Sequence, residues 1–123
     1  MSKLTIRIDV APGAAFGPGK ARLLELIDQT GSIRRAAAQM EMSYRRAWLL
    51  LKEIDVMIGT PAIETRTGGA QGGGASLTTV GRAILQHYRA IEGRATESVS
   101  AELRSITRLA AGARQKQEGT RKR

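Results

Sequence analysis

Apolar Leu4, Ile6, Ile8 and Val10 alternate with polar Lys3, Thr5, Arg7 and Asp9 at the start of the chain. This two-residue period predicts a half-buried strand. Residues 11–19 are rich in glycine and proline and predict a break, after which Pro18 opens a helix carrying Leu23, Leu24, Leu26 and Ile27 and ending at Gly31. Ser32 is placed to cap a short second helix by accepting a backbone N–H, with Ile33, Ala36, Ala37 and Met40 at helical spacing behind it. Glu41 and Met42 predict a turn. Ser43 then caps a third helix in which Tyr44, Ala47, Leu51, Ile54 and Ile58 share one arc, while Arg45, Arg46, Leu49 and Lys52 lie on the other face.

Gly59, Thr60 and Pro61 end that helix. Residues 62–65 and 75–77 then flank "TRTGGAQGGGASLT" like two arms of a ribbon, with five glycines among residues 68–74. Such a segment can be a phosphate cradle, a linker or a projecting tip. No Gly-Lys-Ser/Thr follows as in a P-loop, and another helix begins directly after Leu77, so the ribbon reading is favoured. Thr78 or Thr79 caps this last helix, in which Val80, Ile84, Tyr88, Ile91, Val99 and Ile106 belong to a stripe recurring every three or four residues. Helical throughout residues 79–110, it would run roughly 48 Å and would need a partner surface to cover its stripe. Residues 112–123 are polar and basic and predict a disordered tail after one domain spanning 1–111.

Two short helices joined by a tight turn, the second basic on its outer face, have the layout of a helix-turn-helix. Its second helix enters the major groove, so it must be apolar on one face and offer donors near its N-terminus. Arg45, Arg46 and Leu49 are the candidate base-reading residues, the arginines for guanine O6 and N7 and Leu49 for a thymine methyl. Ser32, Arg34, Arg35, Ser43 and Lys52 are candidates for phosphate, while Tyr44 and Trp48 are read as packing against the preceding helix. The ribbon supplies a wing of Arg66, Thr67, Gly68, Gly69, Gln71, Gly72, Gly73 and Gly74, where glycine permits unusual dihedrals and close backbone approach. The fold expected is α+β and mainly helical, a winged helix-turn-helix with an N-terminal strand and a long C-terminal dimerisation helix. An ordinary helical hairpin with a solvated basic face remains the alternative for the helix pair alone.

Charge supports the first reading. The chain of 123 residues carries 20 basic against 11 acidic side chains, a net +9, and 15 of the 20 are arginine, whose planar fork matches phosphate. It contains no cysteine, which removes disulfides, zinc-thiolate sites and thiol nucleophiles. Neither a signal peptide nor an apolar run long enough to cross a bilayer is evident, so a cytoplasmic location on DNA is expected. His87 is the single histidine and has no carboxylate or histidine partner at ligand spacing, so no metal and no cofactor are expected. No nucleophile with an acid–base partner accompanies the glycines, and the protein is not expected to be an enzyme.

The segments "GSIRRAAAQMEMSYRRAWLLLKEI" and "ETRTGGAQGGGASLTTVG" resemble the N-terminal DNA-binding domain of the ModE-type molybdate-responsive transcriptional regulators. The resemblance covers about residues 20–92. It rests on Gly31-Ser32-Ile33, on the Ser43-Tyr44 and Ala47-Trp48 pairs, and on the double-glycine, triple-glycine wing leading into Leu77-Thr78 and Gly81. The chain is similar, more distantly, to the DNA-binding end of LysR-type regulators. The resemblance implies a homodimer built on the first and last helices, with Leu23, Leu24, Ile27, Ile84, Tyr88, Ile91 and Val99 at its interface, bound to a palindromic operator in double-stranded DNA. Full-length ModE proteins carry C-terminal oxyanion-sensing modules, whereas this chain ends soon after its last helix, so a regulator without those modules is expected. Where the family's wings often hold a basic residue, Ala70 and Gln71 stand here. The competing functions are a nonspecific nucleic-acid binder, an adaptor working with a separate regulator that supplies effector sensing, and a small-oxyanion binder.

Overall fold

The protein is described by a computed structural model over residues 2–67 and 73–121. In chain order its elements are β1 (Ile8–Ala11), β2 (Ala14–Phe16), α1 (Pro18–Thr30), α2 (Ile33–Gln39), α3 (Tyr44–Ile58), β3 (Ile63–Arg66), β4 (Gly74–Leu77), α4 (Thr79–Ser98) and α5 (Ser100–Arg121). The fold is mainly helical α+β, as expected. The chain divides into two compact units, one of residues 6–89 and one joining the residues up to Thr5 with those from Ala90 onward.

In the first unit, Ile6 and Ile8 are half-buried and Arg7 and Asp9 exposed, so the alternation read from the sequence holds. The strand is shorter than expected and has a partner that was not expected. β1 pairs antiparallel with β2 through Ile8–Phe16 and Asp9–Ala15, and the register slips between Asp9 and Ala11. The slip carries Val10 off the inward face, leaving it 58% exposed. Gly13 turns the hairpin at φ +77°, a conformation that favours glycine. β2 escaped notice because Ala14 and Ala15 carry no apolar period.

α1 begins at Pro18, whose missing N–H costs nothing in a first turn, and stops where Gly31 adopts φ +69°. Its buried Leu23, Leu24, Leu26 and Ile27 form the centre of the core with Phe16, Ile33, Leu51, Ile54 and Tyr88. Phe16 meets Tyr88 edge-on at 5.1 Å, and the Tyr88 hydroxyl donates to the Ile6 carbonyl at 2.6 Å. Outside the core, Asp28 accepts from Arg82 through both carboxylate oxygens and Glu25 pairs with Arg22 and Arg89, tying α1 to α4. The Asp28 hydrogen bond, and secondarily its charge, hold the Arg82 guanidinium above its ordinary range, so it is cationic at any working pH.

The junction before α4 is the tightest place in the unit. Asp55 accepts from the Ala62 N–H at 2.8 Å, and the Ala62 carbonyl accepts from the Thr78 N–H at 2.9 Å. Thr78 also caps α4 by accepting the Gly81 N–H, while its hydroxyl donates to the Pro61 carbonyl. A Cβ on Gly81 would stand 2.2 Å from the Ala62 oxygen.

In the second unit the expected single helix is two. Val99 separates α4 from α5, although its N–H still donates to Ala95 and its carbonyl accepts from Leu103. Ser98, Val99 and Ser100 are poor helix formers, since serine competes for backbone groups and valine loses rotamer freedom. α5 then continues to Arg121, through residues whose composition predicts a disordered tail. Alanine, glutamine, lysine and arginine, which dominate residues 110–117, all have high helix propensity. Ser2 hydrogen-bonds Thr107 of α5 through both its N–H and its hydroxyl.

Two substitutions within α4 are expected to act in opposite directions. Gly81→Ala forces a methyl into the Ala62 carbonyl and should destabilise by about 1–3 kcal/mol. Gly93→Ala meets nothing within 4 Å and should stabilise by up to about 1 kcal/mol through helix propensity. Thermal melts followed by circular dichroism measure both, and shifts of the same sign would contradict the junction described.

Candidate nucleic-acid interface

α2 and α3 are set by their caps. The Ser32 Oγ accepts the Arg35 N–H at 3.1 Å, and the Ser43 Oγ accepts the Arg46 N–H at 3.0 Å. Between them, Met40 and Met42 donate back to the carbonyls of α2, and Glu41 takes φ +55°, where glycine would be the unstrained choice. The chain therefore reverses within residues 40–43. Ala47, Leu51 and Ile54 of α3 are buried, and Arg45 and Arg46 stand exposed in its first turn.

β3 and β4 pair in unbroken register from Ile63–Leu77 to Arg66–Gly74. The Ala75 N–H donates to the Gly31 carbonyl at 2.9 Å, fastening this ribbon to the corner between α1 and α2. A Cβ on Gly73 would lie 2.5 Å from the Arg66 oxygen, so the ribbon requires glycine there. Gly68, Gly69, Gln71 and Gly72, which the sequence assigns to the wing, lie outside the described residues.

Ribbon and helices enclose a groove of about 450 Å³. Ser32, Ile33 and Arg34 form one wall, residues 65–67 and 73–75 the other, and Tyr44 and Trp48 lie between them. The two rings meet edge-to-face at 6.1 Å, and the Arg34 guanidinium sits 4.2 Å from the centre of the Tyr44 ring. Tyr44 thus meets the preceding helix through Arg34, but the pair is not buried against it as a packing role implies, since Tyr44 is 38% and Trp48 41% exposed. Toward the core, α2 buries only Ile33 and the small Ala36 and Ala37, and α3 buries Ala47 but neither ring. Their spacing of four residues on one helix is the signal that could have found them.

The other predicted contacts divide. Arg34, Arg66, Thr67, Gly73, Gly74 and Ser32 come together at the groove, with Ser32 half-buried and engaged as a cap. Arg35 and Ser43 are exposed nearby on the same helix pair. Leu49 and Lys52 are exposed but line a separate depression with Glu53, Val56 and the hairpin residues Gly13 and Ala14. Of the residues proposed for a dimer interface, Leu23, Leu24, Ile27 and Tyr88 are buried in the chain's own core and offer no surface to a partner. Core and interface stripes share the same helical period, so the sequence did not separate them. Ile84 and Val99 are half-buried and Ile91 is 43% exposed.

The ion pairs show where charge is left uncompensated. Arg7, Lys20, Arg22, Arg82 and Arg89 are paired with Asp9, Glu53, Glu25 and Asp28. Arg34, Arg35, Arg45, Arg46, Lys52 and Arg66 make no ion pair among the described residues. Among those residues, no cluster of three or more histidine or carboxylate side chains could hold a metal ion, and no helix is long and apolar enough to cross a membrane. His87 is exposed.

A helix pair reversing at a tight turn, a two-stranded ribbon fastened beside it and a following helix define a winged helix-turn-helix. No protein-family profile matches the chain. Individual proteins do. The chain is 38% identical over 92 residues, 75% of its length and 33% of the relative's, to the molybdenum transport protein ModE of Azotobacter vinelandii. It is 39% identical over 89 residues, 72% of its length and 34% of the relative's, to the transcriptional regulator ModE of Haemophilus influenzae. The molybdenum-pterin-binding protein MopB of Rhodobacter capsulatus matches at 34% over 94 residues, 76% of this chain and 35% of that one. Over the matched segment the chain is homologous to these ModE and Mop proteins, and it spans about a third of the length of these curated relatives.

The cap geometry makes a separable prediction. Ser43→Ala should destabilise by about 1 kcal/mol, whereas Ser43→Asp, which caps as well as serine, should leave stability within a few tenths. Urea denaturation distinguishes them, and equal losses would mean that the Ser43 cap contributes nothing to the fold.

Proposed function

We propose that this chain is the DNA-binding part of a transcriptional regulator, acting as a dimer on a palindromic operator. The carrying observation is the set of cations without an ion pair on α2, α3 and the wing, in a unit, residues 6–89, whose other described lysines and arginines are all paired. Relatives named as a transcriptional regulator and as a DNA-binding transcriptional dual regulator support the reading.

In this reading the first turn of α3 enters the major groove. Arg45 and Arg46 donate to guanine O6 and N7, each pair worth about 1–3 kcal/mol of discrimination. Arg34, Arg35 and Lys52 hold phosphates, and their release of counterions makes affinity fall steeply with salt. Leu49 touches a thymine methyl if the helix seats deeply enough to bring its middle turns to the bases. Ile84, Ile91 and Val99 are the dimer contacts that burial leaves available, and a two-fold pair of domains reads two half-sites.

Selection from a random duplex pool with the purified chain near physiological salt tests the function, and an enriched palindrome is expected. Uniform recovery of all sequences would replace the regulator with a nonspecific binder. Alanine at both Arg45 and Arg46 should lower affinity for the enriched site far more than for unrelated duplex. A uniform loss would assign both side chains to phosphate. Ile91→Glu should halve the mass seen by light scattering, and an unchanged mass would move the dimer contact elsewhere.

A further inference from the structure

Proposed as base readers, Arg45 and Arg46 leave the groove between α3 and the wing without a ligand. We propose that this groove holds the sugar–phosphate backbone of one DNA strand, with Tyr44 and Trp48 against the deoxyribose and Arg34 and Arg66 on the flanking phosphates. The inference rests on the DNA-binding reading and assigns it a second, sequence-independent contact.

The chemistry of the walls selects that occupant. None of the described lining residues is acidic, and none carries the amide or carboxylate groups that pair with adenine or cytosine edges. What the groove offers is two guanidinium groups, hydroxyls from Ser32, Thr65 and Thr67, and between them two aromatic rings whose apolar faces carry one hydroxyl, on Tyr44, and one N–H, on Trp48. A deoxyribose flanked by phosphates has the same alternation of apolar and anionic parts.

Two features prepare the groove. The Tyr44 ring beneath the Arg34 guanidinium restrains it before any ligand arrives, so less side-chain freedom is lost on binding. Gly73 and Gly74 add no side chain to the opposite wall, so a sugar–phosphate strand can approach the ribbon closely beside Arg66. The edge-to-face contact with Tyr44 likewise fixes Trp48 while leaving it 41% exposed.

Trp48 is the only tryptophan in the chain, so its emission reports on this groove alone. The test is acrylamide quenching of Trp48 in the full, unsubstituted chain, free and saturated with either the enriched duplex or an unrelated duplex of equal length. Binding itself is followed separately by gel shift. Both duplexes should protect Trp48, lowering the quenching constant about two-fold or more, as expected for a ring that becomes packed against nucleic acid. Arg34→Ala, checked for an unchanged melting temperature, should reduce the salt slope by about one for both duplexes. Duplexes that bind while Trp48 stays equally open to acrylamide would overturn the inference and leave the DNA-binding reading standing. Protection by the enriched duplex alone would make the groove a base-reading site. Protection by inorganic phosphate or molybdate without DNA would make it a small-anion site. Failure of any duplex to bind would remove both readings together.

Discussion

The Ala62 carbonyl accepts the Thr78 N–H at 2.9 Å, and Gly81 passes so close that any side chain there would strike the same oxygen. This contact fixes where the ribbon leaves α3 and where it rejoins α4. Asp55 holds the Ala62 N–H from the last turns of α3, and Thr78 serves at once as ladder partner and helix cap. A short two-stranded ribbon has little stability of its own. Here its two feet are bound to α3 and α4, and Ala75 is bound to the corner at Gly31.

The position of the wing base follows, and with it the groove. Because Gly31 both ends α1 and accepts from Ala75, the residue that stops the first helix also sets the ribbon beside α2. Ser32 and Ser43 then aim the two short helices by satisfying N–H groups that would otherwise lack partners. Glycines and hydroxyl residues at element ends, Gly31, Ser32, Ser43, Thr78 and Gly81, thus account for most of the groove's geometry, and few of its residues belong to the core.

These end signals are also what the sequence displayed most clearly. Gly31, Ser32, Ser43 and Gly59 bound the helices where local chemistry said they would, and the ribbon arms flank the glycines as their residue types predicted. What stayed hidden depends on contacts between distant residues. The stripe containing Tyr88 reads equally well as core or interface, and only the presence of Phe16 and the Ile6 carbonyl settles it as core. Tyr44 shares the arc of Ala47 and Leu51, yet meets α2 through the exposed Arg34 and stays 38% exposed. β2 is too short and too rich in alanine to show a period. The division at Val99 does not show in the sequence because the weak helix formers Ser98, Val99 and Ser100 do not interrupt the apolar stripe.

The distribution of ion pairs links this fold to its charge. Exposed ion pairs contribute only about 0–1 kcal/mol each, so leaving Arg34, Arg45, Arg46 and Arg66 unpaired costs the fold little. The same arginines gain much more against a polyanion, because each phosphate they neutralise releases a condensed counterion. Four of the eleven acidic residues serve the opposite task. Asp28 and Glu25 tie α1 to α4, Glu53 holds Lys20, and Asp55 anchors the ribbon through a backbone N–H. A carboxylate near the first turn of α3 would have improved the helix as an isolated segment, since anions stabilise N-termini, but would have cancelled the cations beside it. No acidic residue stands in that turn. Local helix stability has been given up there in favour of positive charge, at the end of α3 where the backbone N–H groups point outward in the same direction.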